Sequence, residues 1–214
     1  MEQVISNELQ SHWLGKVLGK ALASRDTLME RVEHGLEAKH GDRDKNADWL
    51  ISRKTTLNTT CGAISGAVGF IPVLGTIGAL IATGMTEFAI VLKMEIELCV
   101  EMAHNYGHDI KDPQRMYELL AIIGRKRDVK SVKGAKSVAT SKTLNSAINR
   151  YARIGIIKAL TRTAEIIELR MGLRAAVKTV PVIGVVLGGT INYVMTQNTG
   201  KLAKEFYQAK VVGS

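Results

Sequence analysis

The stretch TTLNTTCGAISGAVGFIPVLGTIGALIATGMT, residues 55–86, lies between Lys54 and Glu87 and contains no charged side chain. As one straight helix it would run about 48 Å, longer than the ~30 Å of bilayer hydrocarbon. Pro72 falls near its middle with Gly75 three residues on, and a proline inside a helix removes a hydrogen bond and costs about 3 kcal/mol or more. The run is therefore expected to break into a hairpin with arms 55–71 and 73 onward, each near or below the ~20 residues that a full span needs.

Downstream, the second arm continues as a long amphipathic helix. Met85, Phe88, Ala89, Leu92, Ile96, Cys99, Val100, Ala103 and Tyr106 recur at three- and four-residue intervals, with Lys93, Glu97 and Glu101 on the opposite, polar face. Gly107 suits a left-handed C-terminal cap, and Asp112 as N-cap with Pro113 at the first helical position predicts a further helix through about Gly124. Leu144, Ile148, Tyr151, Ile154, Ile157, Leu160, Ala164 and Ile167 then predict one long helix ending near Met171.

The opening pattern returns at residues 179–200, again uncharged, where Pro181-Val182-Ile183-Gly184 repeats Pro72-Val73-Leu74-Gly75 at an offset of 109. Gly62 and Gly66, then Gly75 with Ala79 and Thr83, and later Gly184 and Gly188, place small residues four apart. That spacing lets helix backbones approach closely, in lipid or in a tightly packed soluble bundle. Asn192, Gln197 and Asn198 count against a lipid-facing second span.

Upstream, Trp13, Leu14, Val17, Leu18, Ala21 and Leu22 form one apolar stripe, as a core-packing helix or a membrane-surface helix would show. Residues 41–46 read as a polar loop. With 214 residues, 46% hydrophobic and only 5% aromatic side chains, twenty glycines and three prolines, the chain is expected to be a single all-α domain rather than a β-sandwich or a disordered chain. The expectation is a helical bundle of about six to eight helices spanning 1–214, with two glycine- and proline-containing apolar hairpin segments. Residues 1–47 would be amphipathic N-terminal helices, 48–124 the first apolar hairpin with its amphipathic helices, 125–142 a basic loop and 143–214 a second helical half.

Two cysteines, Cys61 and Cys99, suggest neither a disulfide framework nor a zinc site. Glu2 and Glu8 interrupt any leader-like apolar run in the first twenty residues. A cytoplasmic protein is expected. The net charge of +9 is concentrated: Arg125, Lys126, Arg127, Lys130, Lys133, Lys136 and Lys142 face only Asp128, which predicts attraction to polyanions. No Phe, Tyr or Trp is interleaved to stack on bases, so nucleic acid is less favoured than an anionic leaflet, which asks only for charge at about 1 kcal/mol per basic residue.

The segments GAISGAVGFIPVLG (62–75), EMAHNYGHD (101–109) and PVIGVVLGGTIN (181–192) resemble the EcsC family of bacterial proteins over residues 61–206. The resemblance implies an all-helical, membrane-associated protein and brings no catalytic residues with it. The N-terminal part before Asp48 and the basic run 125–142 are expected to lie outside the family pattern.

No set of residues points to catalysis. Gly62-Ala63-Ile64-Ser65-Gly66 has the wrong spacing for a nucleophile elbow, and the stretch from Gly184 to Thr190 lacks the lysine of a phosphate loop. No cofactor or metal is expected. The nearest approach to a ligand set is a pair of Glu-x-x-His turns, Glu37 with His40 and Glu101 with His104, for which Glu30, Glu97 and Glu165 could nominally complete a carboxylate-bridged site. The leading reading is a non-enzymatic protein on the cytoplasmic face of the inner membrane. Phe70, Ile71, Pro72, Val73 and Leu74, with Pro181, Val182 and Ile183, would supply apolar contact, and the basic run would hold anionic lipids. Its candidate partners are those lipids, a membrane protein and further copies of itself. The alternatives are a pore-forming effector built on the glycine-spaced helices, and a soluble bundle that binds protein or nucleic acid; a mean hydropathy of only +0.05 is compatible with the latter.

Overall fold

The computed structural model describes residues 12–66, 87–125, 137–177 and 181–212, and among them every regular element is an α-helix. In chain order these are α1 (Trp13–Leu22), α2 (Arg25–Ala38), α3 (Arg43–Gly66), α4 (Glu87–Asn105), α5 (Gln114–Gly124), α6 (Ser137–Ile154), α7 (Ile156–Val177) and α8 (Pro181–Val212). The all-α bundle expected from the composition is what forms. The hairpin expected around Pro72 falls outside the described residues; Pro181 opens α8, the position where a missing N–H costs nothing.

The frame is an antiparallel pair, α3 and α8. Asp48 accepts from Lys204 at 2.7 Å, Asn58 Nδ2 donates to Thr196 Oγ1 at 2.8 Å, and Asn192 Nδ2 donates to the Asn58 carbonyl at 3.1 Å. The polar residues of the second uncharged run thus serve helix pairing. Their backbones come close at Gly200, where a Cβ would stand 2.6 Å from Ile51 Cγ1 and 3.0 Å from Leu98 Cδ2. Helix α4 lies against both, antiparallel to α3, and α1 and α2 cover it. The buried Asn46 amide joins three helices by donating to the Val32 carbonyl at 3.1 Å and to Asn105 Oδ1 at 2.9 Å. Helices α5, α6 and α7 pack on one another beside this frame.

The α1 stripe is core: Leu14, Val17, Leu18 and Ala21 are all buried. Its outer edge is tied to α7 by Trp13 Nε1, which donates to Glu168 Oε1 at 2.7 Å. Helix α4 ends as its sequence predicts. Gly107 has φ +80°, its N–H bonds the His104 carbonyl and the His108 N–H bonds the Ala103 carbonyl, the paired bonds of a Schellman cap. Gly107→Ala is expected to lower stability by about 1–2 kcal/mol, the cost of a left-handed conformation for a residue with a Cβ, read as a lowered urea midpoint. Asp112 Oδ1 accepts from the Gln114 N–H at 2.9 Å, so α5 is capped as expected and starts one residue later.

Four expectations are corrected. Residues 43–46 are not loop but the first turn of α3. The helix expected over 144–171 is two, because Gly155, at φ +82°, ends α6 before α7 begins. Residues 137–142 of the expected basic loop belong to α6. Lys93, Glu97 and Glu101 do not form a solvated face of α4: both glutamates are buried, and only about a tenth of the Lys93 side chain is exposed. α4 is enclosed by α1, α2, α3 and α8, so its polar stripe meets partners instead of water.

Candidate functional site

The alternation of helix directions orients the ends that flank the uncharged segments. α3 runs from Asp44, which bonds Tyr106 and Gln208, to Gly66, while α4 and α8 run the opposite way. The C-terminal end of α3 and the N-terminal ends of α4 and α8 therefore point the same way along the bundle, and α7 ends four residues before α8 begins. About 21 Å along α8 from Pro181, Phe88, Leu92, Ile123, Ile167 and Met195 meet around Glu95, which is 2% exposed and whose Oε1 has no hydrogen-bond partner. Arg125 follows α5 at this same level, Ile123 being its neighbour in the cluster.

Of the residues singled out from sequence, Phe70, Ile71, Pro72, Val73, Leu74 and Gly75 lie outside the described residues, as do Lys126, Arg127, Lys130, Lys133 and Lys136. Gly62 and Gly66 occupy the last turns of α3, while Pro181, Val182, Ile183, Gly184 and Gly188 occupy the first turns of α8. Lys142 is exposed on α6, a helix without a single acidic residue. No helix of the described residues is long and apolar enough to cross a membrane.

Sequence reasoning missed an ionic cluster between α2, α3 and α4. Lys54 is 2% exposed, pairs with Glu97 and lies 3.8 Å from Glu101 Oε1. Arg31 reaches across from α2 to the same Glu101 oxygen at 2.6 Å, and Lys93 takes the second oxygen of Glu97 one turn along α4. Burial pushes both carboxyls up; at Glu97 the adjoining Lys54 and Lys93 outweigh it and hold the carboxyl below its ordinary range. At Glu101 burial prevails over Lys54 and Arg31, and its Oε2 finds no hydrogen-bond partner. Burial and Arg31 together push the Arg53 guanidinium down. Four basic groups thus surround two carboxylates inside the bundle. Such pairs seldom add net stability, but breaking one strands a buried charge, which opposes any sliding of α2 or α4 along α3.

The two Glu-x-x-His turns do not converge. Glu101 is committed to Lys54 and Arg31, whereas His104 points outward to Glu33 at 3.3 Å. His40 takes the left-handed cap position after α2, at φ +53°, while the Glu37 side chain is mostly exposed beside His34. Among the described residues no group of three or more His, Cys, Asp or Glu side chains could hold a metal ion.

A model of the EcsC protein family matches residues 3–212. The chain belongs to the EcsC family. The match reaches well beyond the 61–206 of the sequence resemblance, so the N-terminal helices and the basic run expected to stand apart from the family pattern are inside it. No curated protein and no solved structure matches this EcsC chain.

Proposed function

We propose that this EcsC-family protein is a non-enzymatic helical protein that docks on the cytoplasmic face of a bacterial membrane. Phe70, Ile71, Pro72, Val73 and Leu74, with Pro181, Val182 and Ile183, contribute apolar contact, and the basic run 125–142 holds anionic headgroups. The observation that carries the reading is that the last turn of α5, at Ile123, lies beside Phe88 at the start of α4, so the basic run leaves α5 on the side toward which α3 runs and from which α4 and α8 set out. A single face can then engage hydrocarbon and headgroup together, the two signals that stable peripheral binding requires. The buried α1 stripe supports the same reading, because it removes the competing surface helix.

Flotation with vesicles tests it. Binding to phosphatidylglycerol-containing vesicles is expected at low salt, with release at high salt, since exposed charge pairs weaken beyond the ~8 Å screening length of physiological buffer. Replacing Arg125, Lys126, Arg127, Lys130, Lys133, Lys136 and Lys142 by Gln is expected to abolish binding, because about 1 kcal/mol is lost for each. Unchanged flotation of that variant overturns the electrostatic part. Carbonate-resistant flotation with dye release favours insertion and pore formation instead, and no flotation to any vesicle overturns the proposal.

A further inference from the structure

Between Asp128 and Glu165 the chain carries eight basic side chains and no acidic one. Five of the eight, Lys142, Arg150 and Arg153 on α6 with Lys158 and Arg162 on α7, lie among the described residues, and all five are exposed. None of them has an ion pair or a side-chain hydrogen bond among the described residues. The cations elsewhere on the bundle are matched: Arg31, Lys54, Arg115, Lys204 and Lys210 each meet a carboxylate.

At 3.6 residues per turn Lys142, Ser146, Asn149 and Arg153 form one solvent-facing stripe of α6, flanked by Asn145 and Arg150, while Leu144, Ile148 and Tyr151 are buried on the opposite side. The stripe is about 17 Å long. Gly155 then turns the chain, and Thr163 Oγ1 of α7 bonds back to the Tyr151 hydroxyl of α6 at 3.3 Å, so Lys158 and Arg162 sit one helix over and extend the positive charge. No large apolar side chain is exposed between Lys142 and Arg162, and a helix lying in a membrane interface needs one. The face offers guanidinium, ammonium, amide and hydroxyl donors instead, the groups that hold nucleic-acid phosphates. Three of the five cations are arginines, whose planar fork meets two phosphate oxygens at once. Aromatic stacking, absent from this region, is what single strands require and a duplex does not. An α-helix fits the ~12 Å major groove of B-DNA and not the deep, narrow one of an RNA duplex.

We propose that the exposed face of the α6–α7 hairpin binds the phosphate backbone of double-stranded DNA without regard to sequence, through Lys142, Arg150, Arg153, Lys158 and Arg162. Four of these five cations play no part in the membrane reading, so the two can fail separately. The probe is a fluorescein-labelled DNA duplex of about 20 base pairs, followed by anisotropy with the full chain between about 50 and 200 mM KCl. Binding is expected at the low-salt end, with affinity falling against salt on a double-logarithmic plot at a slope of about 4.5 or more, near 0.9 for each phosphate contact. Replacing Arg150, Arg153, Lys158 and Arg162 together by Gln is expected to weaken binding about tenfold or more and to reduce the slope by about 3.6, with the helical circular dichroism spectrum and vesicle flotation kept. Exchanging Arg150, Arg153 and Arg162 for Lys is expected to keep the slope, because counterion release follows charge. A duplex that fails to bind at the lowest salt, a single strand or an RNA duplex bound as tightly, or a wild-type slope in the Gln variant overturns the proposal. Loss of flotation by that variant with duplex binding kept also overturns it and assigns the face to the leaflet.

Discussion

Lys54→Met is expected to destabilise the bundle by about 3–5 kcal/mol, because it leaves Glu97 and Glu101 buried without their shared cation. Urea denaturation followed by circular dichroism reads the loss directly. Its pH dependence separates a stranded charge from a packing defect. Lys54 lowers both carboxyls, so without it both titrate higher in the folded state than in the wild type. A group with a raised folded-state pKa contributes stability below its unfolded value and loses it as pH rises through the folded value. The deficit of the variant should accordingly shrink as pH falls from 7 toward the ordinary glutamate value of 4.5. In the wild type the two carboxyls pull in opposite directions. The lowered Glu97 gives stability that is present above 4.5 and lost as pH falls through its folded value; the raised Glu101 gives stability present below 4.5 and lost as pH rises through its own. A deficit that stays constant with pH would assign the effect to lost alkyl packing instead.

Gly200→Leu is expected to cost about 3 kcal/mol by overpacking, and Gly200→Ala about 1–2 kcal/mol, even though alanine favours a helix over glycine by about 1 kcal/mol. The obstacle is Ile51 Cγ1, 2.6 Å from the new Cβ. It belongs to a branched side chain fixed near its own backbone, so it cannot swing aside as the tip of a lysine would. Gly19 on α1 has nothing within 4 Å of its would-be Cβ, and Gly19→Ala should raise stability by about 0.5–1 kcal/mol. Opposite signs at the two positions, read from urea midpoints, establish close approach of α3 and α8 rather than propensity as the cause.

What could be read from the sequence depended on whether a feature is local. Gly107 and Asp112 mark the end of one helix and the start of the next through bonds made within five residues, and they were legible. The ionic cluster was not. Lys93, Glu97 and Glu101 stand four apart, the pattern of a solvated stripe, and only Lys54 on α3 and Arg31 on α2 turn that stripe inward. Periodicity within one helix carries no record of what another helix lays over it. The same limit explains Gly155: the apolar spacing of Leu144 to Ile167 runs on across it, while the helix itself stops there. Glycines chosen by four-residue spacing missed Gly200, whose need for a bare backbone comes from Ile51, far away in the sequence. Of the candidate membrane face, the uncharged and basic segments were legible as composition, and the common direction in which α3 runs toward them and α4 and α8 run away from them required the antiparallel packing of α3 with α4 and α8.

Helix α8 is unbroken from Pro181 to Val212, and Tyr207 follows Pro181 on it by twenty-six residues, about 39 Å along a straight helix. It works as a ruler. With its first turn on an anionic leaflet and its axis upright, Tyr207 stands about five screening lengths of physiological buffer above the lipid charges. Arg25 and Arg115, gathered around Tyr207, are then electrically blind to the membrane. The length of one helix thereby insulates the far end of the bundle from the charge on which the near end rests.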